Sequence, residues 1–105
     1  MSQVAPLLSA MEDSALAMAQ DEYVHDRLVR CVLSVYFERD VGFREIHSIL
    51  GRLSRLGLVR WRIRERGRVS FRARPGASAR RHKATSLTMS AKGLAYFALP
   101  RRVRD

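Results

Sequence analysis

Between residues 59 and 74 the sequence alternates between apolar and basic positions. The odd positions are mostly apolar, whereas the even positions hold a series of arginines, namely Arg60, Arg62, Arg64, Arg66, Arg68, Arg72 and Arg74. Successive side chains of a β-strand point to opposite faces of the sheet. The alternation therefore predicts strand structure with an apolar face turned to the core and an arginine face turned outward.

Gly67 lies in the middle of this segment and favours a β-hairpin over the alternative of one long strand. A three-residue loop over 65–67 would place Trp61 opposite Phe71, so that both rings share the apolar face. It would also put the glycine in the last loop position, where a left-handed residue is required. A two-residue turn would instead place Arg62 opposite Phe71 and mix the two faces. We therefore expect the three-residue loop, with both rings in the core.

Apolar residues at three- and four-residue steps predict three helices before the strands. The first spans 6–19 and has its apolar positions at Leu7, Leu8, Met11, Ala15 and Met18. The second spans 21–40, and we expect it to be the central core helix, capped by Asp21 and packed through Val24, Leu28, Cys31, Val32 and Val35. The third spans 43–57 after a turn at 39–42, and its apolar side consists of Phe43, Ile46, Ile49, Leu50, Leu53 and Leu56.

Glycine, serine and proline mark the remaining boundaries. Gly57 ends the third helix as a left-handed residue. A basic loop at 75–83 leads to a short strand at 84–88, and a last helix runs from Ser90, its cap, to Leu99 before Pro100. This helix would pack on the core, and the tail at 101–105 would be loose. The elements predict a single α+β domain over residues 1–105, with three or four helices and a small antiparallel sheet.

The charge of the chain is divided unevenly along its length. The 105 residues have a net charge of +10. Residues 1–45 contain eight acids and four bases, whereas residues 46–105 contain sixteen bases and two acids. Such a field attracts phosphate polyanions, so nucleic acid is expected ahead of an anionic membrane surface. No apolar run approaches the ~20 residues that span a bilayer, and we expect no membrane partner.

The residue types that perform catalysis or bind metals form no recognisable motif. Cys31 is the only cysteine. It cannot form an internal disulfide, which is typical of a cytoplasmic protein, and its apolar setting predicts burial. The histidines His25, His47 and His82 are not at metal-ligand spacing, and no nucleophile, phosphate loop or carboxylate pair is recognisable. We therefore expect no metal, no cofactor and no enzymatic activity.

The segments "RLSRLGLVR" (52–60) and "SLTMSAKG" (86–93) resemble the winged helix-turn-helix transcription regulators, particularly the MarR-like and PadR-like groups. The resemblance covers about residues 43–97 and depends on the order of a helix, the strands and a final helix. The region 59–75 is longer than a simple wing. The wing tip is therefore either 65–67 or 76–82.

The resemblance implies a cytoplasmic, sequence-specific regulator that binds double-stranded DNA, and more specifically a repressor. It places the helix at 43–57 in the major groove and the strands and basic loop at 58–88, as the wing, on phosphates or in the minor groove. The DNA contacts would come from Arg44, His47, Ser48, Arg52, Arg55, Arg60, Arg62, Arg64, Arg66, Arg68, Arg72, Arg74, Arg80, Arg81 and Lys83. One such module reads half a site, so we expect a homodimer with residues 1–20 as its interface.

Two other functions stay open from the sequence. An RNA-binding or ribosome-associated protein would recognise A-form helices by shape and by the 2′-hydroxyl. Competition between duplex DNA and duplex RNA of one sequence separates it from a DNA regulator. A phage- or plasmid-type inhibitor would instead use the cationic face on an acidic protein partner, and would bind no nucleic acid at physiological salt.

Overall fold

The computed structural model describes residues 7–20, 22–65, 67–73 and 85–104. Its helices are α1 (Ala10–Met18), α2 (Asp26–Tyr36), α3 (Phe43–Arg55) and α4 (Ala91–Phe97), and its strands are β1 (Val59–Glu65), β2 (Arg68–Arg72) and β3 (Thr85–Met89). The strands form one antiparallel sheet in the order β2-β1-β3. The described residues thus form an α+β fold with four helices and a small sheet, which confirms the predicted fold class. None of these helices has the length and hydropathy that crossing a membrane requires.

Local capping signals set several helix ends. Gly57 has the predicted left-handed conformation, with φ of 74°, just after α3. Ser90 caps α4 as predicted, since its hydroxyl accepts the N–H of Gly93 at 3.0 Å. α1 begins later than predicted because Ser9 and Glu12 form a capping box. In it each side chain accepts the backbone N–H of the other residue, at 3.1 and 2.8 Å.

The segment predicted as one helix from 21 to 40 contains an extended stretch before α2. Val24 exchanges backbone hydrogen bonds with Leu87 at 2.9 Å in both directions, which adds it to the edge of β3 opposite β1. α2 begins only at Asp26, so the prediction of one continuous helix was wrong. Periodicity could not reveal this, because the partner of Val24 comes from a strand near the other end of the chain. The predicted cap Asp21 lies outside the described residues.

The hairpin of β1 and β2 has a two-residue turn, so the expected three-residue loop was wrong. Glu65 pairs with Arg68 on either side of the turn, and Arg62 pairs with Phe71. Gly67 does have the predicted positive φ, at 76°. Burial specifies the register only weakly here, because β2 is an edge strand that is exposed on both faces. The geometry of the turn therefore decides the pairing.

The core lies between α1, α3 and one face of the sheet. The largest fully buried apolar side chains are Leu8, Leu16, Leu33, Ile46, Leu50, Leu53, Leu58 and Leu87. Trp61 is buried among them as predicted. Phe71 is 52% exposed, so its predicted burial was wrong. The two-residue turn explains the difference, because it moves Phe71 to the opposite face from Trp61.

α2 lies at the margin of the core rather than at its centre. It buries only Val29 and Leu33. Its predicted core positions are exposed, namely Leu28, Cys31, Val32 and Val35. The expected burial of Cys31 was therefore wrong. Apolar residues cover a wide arc of this helix, and periodicity alone does not tell which part of the arc faces the core.

The C-terminal segment is attached to the N-terminal one, contrary to the predicted loose tail. Val103 forms a parallel bridge with Leu8. Leu8 donates to the carbonyl of Arg102 at 2.8 Å, and Arg104 donates to the carbonyl of Leu8 at 2.7 Å. Arg102 also forms an ion pair with Asp13 of α1 at 2.7 Å. These contacts hold the last described residues against the start of α1.

Candidate nucleic-acid interface

The solvent side of α3 presents a basic and polar surface. α3 turns its apolar residues toward α1 and the sheet, which leaves Arg44, Ser48 and Arg55 exposed. These residues are four and seven positions apart, so they share one side of the helix. Neither arginine forms an ion pair with a carboxylate in the described part of the chain. Their guanidinium groups are therefore available to an external anion.

Arg52 lies on a different side of α3. Its guanidinium donates to the carboxylate of Glu12 at 2.5 Å and to the carbonyl of Leu7 at 3.1 Å. The Glu12 side chain is only 9% exposed, and it also accepts the N–H of Ser9. Arg52 thus connects α3 to α1. The structure does not bring it together with the other predicted contacts.

His47 lies beside α2 at the margin of the solvent side of α3. Its Nε2 is 3.2 Å from the carboxylate of Asp26. Its ring is tilted against the ring of Phe43, with 6.0 Å between centroids. The imidazole therefore contacts α2 through Asp26 and the first turn of α3 through Phe43.

A groove of about 1050 Å³ separates the first turns of α2 from α3 and β1. Its apolar lining comes from Leu28, Cys31, Phe43, Leu50 and Trp61. The indole N–H of Trp61 donates to the hydroxyl of Ser54 at 2.7 Å, so this buried donor is satisfied. Across the described residues, no three His, Cys, Asp or Glu side chains are grouped so that they could hold a metal ion.

The two-residue turn divides the arginines of the hairpin between the two faces of the sheet. Residues paired across antiparallel strands share a face. Arg72 pairs with Trp61 and Arg68 with Glu65, so both arginines lie on the inner face, which is the face that packs on α3. The outer face instead holds Arg60, Arg62 and Arg64. The prediction of a single arginine face was therefore wrong.

Two aromatic rings lie among the arginines of the outer face. The guanidinium of Arg62 is 4.2 Å from the ring centroid of Tyr23, and that of Arg60 is 5.5 Å from the centroid of Phe71. The two rings are 6.3 Å apart. Sequence reasoning favoured burial of Phe71 over base stacking and did not identify Tyr23 as a surface ring. The two-residue register would have found Phe71, whereas no pairing signal in the sequence places Tyr23 beside the sheet.

Five carboxylates of the described chain pair with side chains other than the exposed arginines of α3 and the hairpin. The ion pairs are Arg30–Asp40, Arg39–Glu45, Arg52–Glu12, Arg102–Asp13 and the His47–Asp26 contact. Glu45 is the one acid of α3, and the hydrogen bond from Arg39 lowers the pKa of its carboxyl group. No side chain described by the structure supplies a carboxylate partner to Arg44, Arg55, Arg60, Arg62, Arg64, Arg68 or Arg72.

Five predicted contacts lie outside the described residues, namely Arg66, Arg74, Arg80, Arg81 and Lys83. The first predicted wing tip, 65–67, coincides with the turn between β1 and β2. The second, 76–82, lies outside the described residues.

Comparison with known proteins assigns no function to this chain. No protein-family model, curated protein or solved structure matches it. The positions and charges of the described residues are therefore the basis of the functional argument.

Proposed function

We propose that the protein is a cytoplasmic transcription regulator, acting as a repressor, that binds double-stranded DNA. The observation that carries this proposal is a set of exposed arginines without described carboxylate partners on the solvent side of α3 and on the inner face of β2. They form what we call the duplex surface, which consists of Arg44, Ser48 and Arg55 of α3 and Arg68 and Arg72 of β2. Like charges held close together repel one another, and a phosphate backbone relieves that repulsion.

Trp61 links the two parts of the duplex surface. It lies opposite Arg72 on the inner face of the sheet, and its indole donates to Ser54 of α3 at 2.7 Å. It also lines the same groove as Arg55. Trp61 thus connects the inner face of the hairpin at Arg72 to the C-terminal part of α3. This supports a role as one continuous binding surface.

A helix with its side chains is about 10–12 Å across and fits the major groove of B-DNA. Arg44 and Arg55 would contact guanine edges from there, with Ser48 between them, while Arg68 and Arg72 would contact phosphates. A helix pair joined by a short turn and followed by a hairpin is compatible with a winged-helix arrangement. With these two arginine–phosphate contacts, log affinity would fall by about 1.8 per tenfold rise in salt.

Selection of fragments from a random duplex pool at two salt concentrations tests this proposal. We expect a recurring sequence among the bound fragments and a steep loss of binding with salt. Arg55→Ala should reduce discrimination between selected and random duplexes, whereas Arg72→Ala should weaken both alike. Arg101→Ala is the matched control, because Arg101 is an exposed arginine away from the duplex surface. Equal losses in all three variants would show only a general attraction of charges.

We expect a homodimer because one such module reads half a site, and the exposed apolar surface that suits this interface is on α2. The apolar residues of α1 are already used, because Leu16 is buried and Met11 and Met18 pack on the core. α2 instead exposes four apolar or aromatic side chains, which we call the α2 stripe: Leu28, Val32, Val35 and Tyr36. Each of them is 40–76% exposed. An exposed apolar surface of this kind is typical of an interaction site.

A second copy of the chain can pack on the α2 stripe because this region does not share the positive charge of the remaining sequence, so two copies would not repel each other there. Residues 22–41 contain four acids and three arginines, in a chain of net charge +10. Antiparallel pairing of two α2 helices about Val32 would place Arg27 of one copy near Glu38 of the other. It would also place the two exposed Cys31 thiols near the twofold axis.

Light scattering during size exclusion, combined with mild oxidation, tests this pairing. We expect a dimer that becomes covalent through Cys31, and a monomer for Val35→Lys. Val69→Lys is the control, since Val69 is also apolar and exposed but lies on β2. A wild-type monomer, or a V35K dimer, would contradict an interface at α2.

A further inference from the structure

Phe71 is an aromatic ring that the fold leaves on an open sheet face. It is half exposed, and its partner on β1 is Arg62 rather than an apolar residue. Arg60 lies 5.5 Å from its ring centroid, and Tyr23 lies 6.3 Å away. Packing therefore does not account for the ring. An exposed ring bordered by guanidinium groups is a surface on which an unpaired base stacks.

The arginines of the outer face follow one strand at a regular interval. Arg60, Arg62 and Arg64 occupy every second residue of β1, which separates them by about 6.6 Å along the strand. This interval is similar to that between successive phosphates of an extended nucleotide strand. The rings of Tyr23 and Phe71 hold two of the three guanidinium groups in place, which reduces the entropy that binding must overcome.

We propose that the outer face of the sheet is a separate site for single-stranded DNA. Unpaired bases stack on Phe71 and Tyr23, and their phosphates bind Arg60, Arg62 and Arg64. A duplex keeps its bases stacked inside the helix, so a flat face with an exposed ring reaches bases only where the strands are separated.

The two β3 residues with hydroxyl groups on this face do not offer those groups to a 2′-hydroxyl, so they do not favour RNA over DNA. Ser86 is buried beside Arg62, and Thr88, opposite Arg60, donates to the carbonyl of Ala19 at 3.1 Å. Contacts with the 2′-hydroxyl are what allow a protein to select RNA. The described part of β3 offers no spare hydroxyl for that contact.

This site is independent of the duplex surface. Arg68 and Arg72 lie on the inner face with α3, whereas Arg60, Arg62 and Arg64 lie on the other side of the sheet. Variants of one face therefore leave the charge and the side chains of the other face unchanged. Either proposal can fail while the other holds.

Fluorescence anisotropy of the full chain with labelled oligo(dT) and with a random-sequence duplex tests the proposal. Phe71→Ala should lower oligo(dT) affinity about 5- to 150-fold, because one base stack contributes about 1–3 kcal/mol. Its duplex affinity should stay within about twofold, since the ring lies away from the duplex surface. Val69→Ala is the matched control, because Val69 is exposed on the same strand and face but has no ring. Circular dichroism melting verifies that each variant is folded.

A second pair of variants separates the two faces by charge. Arg62→Gln and Arg72→Gln remove the same charge from opposite faces. We expect R62Q to lower oligo(dT) affinity more than R72Q, and R72Q to lower duplex affinity more than R62Q. In the variant Phe71→Trp, added oligo(dT) should quench the emission of the new indole.

Several outcomes would overturn the proposal. Equal losses of oligo(dT) affinity in F71A and V69A would show that the ring is not a stacking surface. Equal losses of oligo(dT) affinity in R62Q and R72Q would show that oligo(dT) binds by general charge attraction and not at the outer face. Tighter binding of oligo(U) than of oligo(dT) would assign the face to RNA, and full competition by an acidic peptide would assign it to a protein partner. Absence of quenching in F71W would also contradict stacking.

Discussion

Two arginines on adjacent turns of α3 separate a role in folding from a role in binding. Arg52 is paired with Glu12 of α1 at 2.5 Å, whereas Arg55 is exposed and has no described carboxylate partner. The sequence treats both as DNA contacts. We predict that Arg52→Ala lowers stability and leaves the intrinsic DNA contacts intact, and that Arg55→Ala does the reverse.

The magnitude follows from the burial of the pair. Arg52→Ala leaves a carboxylate that is only 9% exposed with the N–H of Ser9 as its remaining described donor. Removing one partner of a fully buried pair costs about 3–5 kcal/mol. Because the Arg52 side chain is 31% exposed, water reaches the site, and we expect a smaller loss of about 1–3 kcal/mol. Arg55→Ala should change the free energy of unfolding by less than about 0.5 kcal/mol.

Urea unfolding followed by the emission of Trp61, the single tryptophan, measures both variants. Glu12→Gln keeps the shape of its side chain and removes the charge, so the cycle of R52A, E12Q and the double variant isolates the ion pair. We expect a coupling free energy of about 1 kcal/mol or more. An R52A midpoint equal to that of R55A, or a loss of duplex affinity in R52A at unchanged stability, would refute the assignment.

Three further substitutions test the packing and the charges. Gly93→Ala would place a Cβ on the carbonyl oxygen of Leu58, so we expect a loss of about 1–3 kcal/mol, and an unchanged melting temperature would contradict the packing of α4. Ser54→Ala leaves the buried indole N–H of Trp61 without its acceptor, which should lower the free energy of unfolding by about 1–3 kcal/mol in urea; no loss would mean that the hydrogen bond is not formed. The hydrogen bond from Arg39 lowers the pKa of Glu45 below its ordinary value of 4.5. As pH falls, the unfolded chain therefore takes up this proton before the folded chain does. The stability due to the pair is fully present above the unfolded-state pKa and is lost as pH falls through the lower folded-state pKa. The melting temperatures of the wild type and E45Q should therefore converge on acidification, and a constant difference would be inconsistent with this linkage.

The sequence by itself determined those features that depend on a few neighbouring residues. Gly57 and Gly67 adopt left-handed conformations, and Ser90 caps α4, because these residues satisfy local backbone requirements wherever they stand. The strongly amphipathic α3 begins at Phe43 as predicted, since one apolar side and one polar side leave little choice of orientation. The fold class follows from the same local signals, taken in order along the chain.

Only the tertiary structure decided which surfaces these elements present. β2 has no buried face, so its turn set a register that moved Arg68 and Arg72 to the inner face and Phe71 to the outer one. Arg52 differs from Arg55 only because the carboxylate of Glu12, far away in the sequence, lies beside one of them. A local pattern states that a side chain is polar or apolar. What it contacts depends on residues that folding brings together from distant parts of the chain, and the pattern does not contain them.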